Sequence, residues 1–169
     1  AIKSQEGTNL ESMFAAGLTH DTRDSVFLTR RGHRVDLSAF VAGGFLGGTV
    51  DDYGFGLEGS QYFLLPYDTI LTLAGEIAGV DSWAGGGPVP IYNRLYLGGA
   101  NNLRGFKFRD VGPKDSNGDP IGGQSLWRAT VEVTVPVVDK VRAAVFFDIG
   151  SVDASAYTFT GAVNSDVGL

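Results

Sequence analysis

Few residues in this sequence have the type and spacing for chemistry, and most of those fail on closer count. Asp115 to Asp119, read as DSNGD, gathers oxygen ligands in the manner of a calcium loop. An EF-hand loop needs Gly at its sixth position and Glu at its twelfth. Counted from Asp115, those positions hold Pro120 and Leu126, so the segment reads as a turn. His20 and His33 are the only histidines, and no third ligand with metal spacing accompanies them. The sequence has no Cys, which excludes a disulfide framework and a thiolate zinc site. It contains no GxSxG, HExxH or P-loop pattern. The expectation is therefore no catalytic residue, no metal, no cofactor and no enzyme activity. What stands out is Arg104, between Leu103 and the pair Gly105-Phe106. A guanidinium carries five donors in a planar fork and can serve two carboxylates together. Most loop arginines are simply solvated, so a role for Arg104 depends on what the rest of the chain places around it.

The elements available to position it have a period of two. Six segments alternate, with turn residues between them: about 11–21, 33–42, 53–64, 68–80, 125–135 and 141–152, and a seventh begins near Asp166. In the fifth, Trp127, Ala129, Val131, Val133 and Val135 oppose Arg128, Thr130, Glu132 and Thr134. In the sixth, Val141, Ala143, Val145, Phe147 and Ile149 oppose Arg142, Ala144, Asp148 and Gly150. Each segment has about the length that a tilted strand needs to cross a bilayer, roughly 9–11 residues. One face is apolar and the other carries charges and glycines. A soluble sheet with one wet face shows the same alternation; the connections decide between the two. LPYD and PVVDK are tight, whereas AGGFLGGTVDD and the stretch from Asp81 to Gln124 are long. Short turns at one end and long loops at the other belong to outer-membrane barrels. The connection from Thr22 to Gly32 is longer than that rule allows. The reading is an all-β, antiparallel transmembrane β-barrel. Val131, Val133, Val135, Val145, Phe147 and Ile149 face lipid, Glu132 and Asp148 face the lumen, and Trp127, Tyr53, Tyr62 and Tyr92 form interfacial girdles.

Bulk composition fits this reading. The 169 residues include 25 Gly, 43% are hydrophobic, and the formal net charge is −6. No apolar run approaches the roughly 18 residues of a membrane-spanning helix. No Lys/Arg stripe appears, which argues against nucleic acid as a partner. The opening residues lack the charged start and apolar centre of a signal peptide.

The long connection, about 81–124, is rich in aromatic and apolar residues, among them Tyr92, Leu95, Tyr96, Leu97, Leu103, Phe106 and Phe108. Loops this long are usually functional or disordered, and disordered ones lack such residues. A segment of this kind needs a wall to pack on, and the inside of a wide barrel would provide it. Here the sequence resembles a known family. RLYLGGANNLRGF, then DVGP and GDPIGGQS, looks like the sixth external loop of BamA-type outer-membrane assembly barrels, whose hallmark is Leu103-Arg104-Gly105-Phe106. DTRD at Asp21 to Asp24, GGFLGG at Gly43 to Gly48 and FFDIG at Phe146 to Gly150 extend the resemblance over nearly the whole chain, in the family's order. FFDIGSV favours a bacterial member over an organellar one.

The resemblance implies much that composition does not. The chain would be six to seven strands of a larger sixteen-stranded barrel, with its loop directed into the lumen. Residues 1–169 would hold neither the periplasmic POTRA domains nor the terminal strands. The family folds and inserts β-barrel proteins into the bacterial outer membrane. Its partners are membrane lipids, nascent barrel clients and accessory lipoproteins. In the family the loop arginine points into the lumen and meets acids on neighbouring strands, which by motif matching are Glu132 and Asp148. The alternation independently puts both carboxylates on the polar face of adjacent strands. Phe106 would anchor the loop tip, and Gly105 would let the backbone turn tightly or approach a wall. Arg109, further along the loop, has no partner assigned. Other functions share the barrel: a two-partner secretion or TamA-like transport pore, the barrel of a patatin-type lipase, or a simple porin. Upstream domains would separate them.

Overall fold

The computed structural model describes residues 9–83, 87–138 and 141–169. The opening residues and the tip of the PVVDK turn, on which two of the readings above rest, lie outside the described residues. Seven strands form one antiparallel sheet in sequence order: β1 (Met13–Asp21), β2 (Gly32–Ala42), β3 (Asp52–Leu65), β4 (Thr69–Ser82), β5 (Ser125–Val138), β6 (Val141–Asp153) and β7 (Asn164–Gly168). Among the described residues, helix is limited to short 3₁₀ turns at Gly44–Leu46 and Pro66–Asp68. Most strands run somewhat past the alternating segments, whereas β1 begins two residues later than expected. β5 continues through Pro136 to Val138, with an irregularity in its pairing to β6 between those two residues. A proline has no N–H for the ladder and is tolerated where pairing is broken.

Register turns the alternation into two surfaces. Thr19, Asp36, Glu58, Glu76, Arg128, Gly150 and Asn164 are successive pairing partners across all seven strands, so they share one face. One residue away, Leu18, Leu37, Leu57, Ile77 and Trp127 form a row on the opposite face. The usual arrangement of a soluble sheet is reversed. Leu18 is 73% exposed and Val145 51%, while Asp148 is 1% exposed. Tyr62 departs from its expected place in a girdle. Its register partners Gly32 and Thr72 put it on the polar face, near Arg23. Tyr53 is on the apolar face, beside Trp83 and Tyr157. Tyr92 lies in the long connection, half exposed.

The buried apolar core sits on the polar face and is half made of loop. Ala78 of β4, Leu126 of β5 and Val152 of β6 lie at the end where the long connections emerge. Leu97, Leu103 and Val111 cover them, with Leu95 and Phe106 packed at the edge. Leu97 and Leu103 are fully buried. The loop is built from short ladders of its own: Leu95 and Gly123 exchange both backbone hydrogen bonds at 2.9 Å, and the Val111 N–H donates to Leu97 at 3.1 Å. It is tied to the sheet where Val80 N–H donates to Gln124 and Gln124 N–H to Asp153, each at 2.8 Å. Gly123 is needed at this crossing, because a Cβ there would stand 2.2 Å from the Asp153 carbonyl oxygen.

Candidate functional site: a loop arginine seated on two strands

Leu103 sets the position of its neighbour. A tight turn closes around it, with Leu103 N–H donating to Gly99 at 3.2 Å and Phe106 N–H to Leu103 at 3.2 Å. Its side chain is buried in the core, so Arg104 is delivered onto the polar face of β5 and β6. There the Arg104 Nε donates to Asp148 Oδ2 at 2.8 Å and Nη2 to Oδ1 at 2.9 Å. This is the bidentate fork that suits a carboxylate. The Arg104 backbone N–H adds a third bond to Oδ2 at 3.2 Å. Nη1 reaches Glu132 Oε2. Thr130 Oγ1 donates to Asp148 Oδ1 at 2.9 Å, and Thr134 Oγ1 to Glu132 Oε1 at 3.3 Å. The guanidinium also lies 3.5 Å from the centre of the Phe146 ring, close enough for a cation–π contact. Phe146 pairs with Glu132 in the ladder and Asp148 with Thr130, so alternation alone aims all four at the loop.

Leu103, Arg104, Phe106, Glu132 and Asp148 thus meet in one place, and Gly105 lies within it. Burial is graded: the Asp148 side chain is 1% exposed, Glu132 25% and Arg104 26%. An ion pair with this many directed bonds can hold a segment. It offers no activated nucleophile, and among the described residues no cluster of three metal-ligating side chains occurs.

The surroundings add groups that sequence reasoning missed. Arg128, on the same face, donates to Glu76 and to Glu58, each at 2.6 Å, and so crosses from β5 to β3. At the turn end, Asp68 receives Arg30 Nε at 2.9 Å and Arg142 Nη1 at 2.8 Å. The Arg30 and Arg142 guanidiniums hold the Asp68 carboxyl down to about 2. This cluster fastens the long Thr22–Arg31 connection to the β3–β4 turn and to β6. It had no sequence signal. Asp68 is aimed by left-handed backbone at Tyr67 and Asp68, φ 62° and 54°, in residues that rarely adopt it. Within DTRD, Asp21 pairs with Arg23, at 2.8 Å. Arg109, to which the sequence assigned no partner, holds its guanidinium 4.3 Å from the Tyr96 ring centre and 5.1 Å from that of Phe108. DSNGD is a turn in which Asp115 Oδ1 accepts from the N–H groups of Asn117 and Asp119. His20 and His33 have their rings 5.1 Å apart.

Comparison with known proteins places this geometry. The Omp85 superfamily domain matches residues 1–167. The outer membrane protein assembly factor BamA of Nitratidesulfovibrio vulgaris is 32% identical over 176 residues, covering 99% of this chain and 22% of that protein. The human sorting and assembly machinery component 50 homolog is 30% identical over 137 residues, covering 81% of this chain and 29% of that protein. The crystal structure of BamA from Haemophilus ducreyi lacking POTRA domains 1–3 superposes with a TM-score of 0.74 at 26% identity, over 83% of this chain and 29% of that one. The chain therefore spans between a fifth and a third of the length of these relatives. Its sheet is part of an antiparallel transmembrane β-barrel. On the match across its length and on its fold, the chain belongs to the Omp85 superfamily.

Proposed function

We propose that this chain is the loop-bearing wall of a barrel that folds and inserts β-barrel proteins into the bacterial outer membrane, and that Arg104 locks the loop inside the lumen. The observation that carries the reading is the Leu-Arg-Gly-Phe tip, seated by its arginine on Asp148 and Glu132, in a chain 32% identical to a BamA. The work needs no covalent chemistry. Unpaired N–H and C=O groups at a sheet edge can template an incoming strand. The wall's part is to stay shaped while that happens. A seated loop fills the lumen side of β4 to β6 and ties two strands through one cation. The partners on this reading are membrane lipids, unfolded barrel clients and accessory lipoproteins.

The test uses the full-length protein in proteoliposomes. Arg104→Ala should insert a client barrel more slowly than the parent. Lys114→Ala should not, because the Lys114 ammonium forms an exposed pair with Asp110 and such pairs contribute little. An Arg104→Ala protein with parental insertion rate and parental barrel stability would refute the lock.

A further inference from the structure

The seat described so far uses β5 and β6, yet the loop tip also meets β7. Gly105 is not among the glycines with left-handed backbone, so a turn does not require it. Its neighbour does. A Cβ at position 105 would stand 2.0 Å from Cγ of Asp166 and 2.3 and 2.4 Å from the two carboxylate oxygens, far inside any real contact. Asp166 is the register partner of Asp148, the carboxylate that Arg104 grips, one strand further along the same face. Asp166 has neither hydrogen bond nor ion pair among the described residues. A second glycine repeats the pattern. A Cβ at Gly168 would lie 2.5 Å from the Phe146 ring, the ring that carries the Arg104 guanidinium.

We propose that β7 is the third wall of the lock. Asp166 occupies the space that a side chain at position 105 would need, and Gly168 gives Phe146 room to lie beneath the guanidinium. The loop then seats fully only when β7 is paired with β6 in this register. A slip of one residue would send Asp166 and Gly168 to the lipid face and leave the tip unsupported on that side. Asp166 acts by its bulk and not by its charge, since a third carboxylate near one cation adds repulsion. Asp166 and Gly168 are positioning residues, and the inference rests on the reading of the loop as locked.

Cysteine pairs test the contact directly: residues 1–169 contain no Cys, and any Cys elsewhere in the full-length protein is first replaced by Ser. In the full-length protein folded in membranes, Gly105→Cys with Asp166→Cys should form a disulfide under mild oxidation, because position 105 lies directly against the Asp166 side chain and losing the carboxylate leaves the tip free to settle back to the Cβ spacing of about 3.5–4.5 Å that a bridge needs. Gly105→Cys with Ser165→Cys, on the opposite face of β7, should not. A missing bridge in the first pair, or equal bridging in both, overturns the proposal. Thermolysin cleavage of the loop tests the steric logic. Gly105→Ala should raise cleavage several-fold, adding Asp166→Ala should return it toward the parental rate, and Asp166→Asn alone should leave it parental. If Arg104→Ala fails to raise cleavage, the lock itself is refuted. If Arg104→Ala raises it but Asp166→Ala does not rescue Gly105→Ala, only the role of β7 is refuted.

Discussion

Asp148→Ala and Glu132→Ala should not cost the same, although both remove a carboxylate that Arg104 touches. Asp148 accepts three bonds from Arg104, two from the guanidinium and one from the backbone, plus one from Thr130. It is 1% exposed. Removing one member of a buried pair typically costs about 3–5 kcal/mol. Arg104 would keep Glu132 and some access to lumen water, which points to the lower end. At about 1.4 kcal/mol per tenfold, a loss of about 3 kcal/mol lowers the closed-to-open ratio of the loop by roughly 150-fold. Glu132 accepts one bond from Arg104 and is a quarter exposed. Its removal should cost about 1–2 kcal/mol, the scale of one partly screened charge-assisted bond. The assay is hydrogen exchange across residues 97–111 in the folded full-length barrel, with thermolysin cleavage of the loop as a second readout. A double-mutant cycle with Arg104→Ala completes it. Asp148→Ala should add little once Arg104 is gone, because both act through the same contact. Equal loop opening from Glu132→Ala and Asp148→Ala would refute the reasoning, as would strict additivity of Asp148→Ala with Arg104→Ala.

Val133→Arg should destabilise the lipid-folded barrel by about 2–4 kcal/mol near the bilayer midplane, read as a shift in urea midpoint; a near-neutral result would count against the face assignment. Asp68 has its carboxyl held at about 2 in the folded state, so its contribution is present above the ordinary carboxylate range and is lost as pH falls toward 2. Cleavage within the Thr22–Arg31 connection should therefore rise on acidification in the parent, and Asp68→Asn should show the raised rate already at pH 7. Arg128→Ala leaves Glu58 and Glu76, direct ladder partners, with no cation between them. Like charges placed opposite each other are destabilising, and Glu58→Gln in the same background should recover part of a loss of about 1 kcal/mol, measured by urea titration.

The strands were legible because their signal is redundant. In β5 and β6 nearly every residue votes for the same face, so Glu132 and Asp148 fall on the polar side without any knowledge of the loop. Ends were less legible. β5 runs past Val135 through Pro136, where local propensity argues for a stop. The loop's need for a wall could be read from Leu97, Leu103 and Phe106, which have no place in a solvated segment. Its choice of Ala78, Leu126 and Val152 as that wall depends on distant register and could not. Tyr62 looked like a girdle residue by type alone, and counting along β3 shows it on the face of Glu58 and Ser60. The Asp68 cluster depends on two non-glycine residues in left-handed backbone. The need for Gly105 depends on Asp166, a residue of another strand, so no local pattern announces it.

The loop core has a kinetic consequence. Leu97, Leu103 and Val111 are made before β5 and β6, yet they bury against Leu126 and Val152, which come later in the chain. Arg104 waits across 44 positions for Asp148. Contacts this distant in sequence form late, because the entropy of closing the intervening chain must be met first. A growing chain therefore passes through a stage in which this loop's apolar side chains are bare while the strands before it can already pair. That interval is when the protein is most exposed to aggregation, and its length is set by how fast β5 and β6 arrive. The order should also run backwards. Under mild denaturant the loop comes away first, and the ladder of β1 to β4 outlasts it.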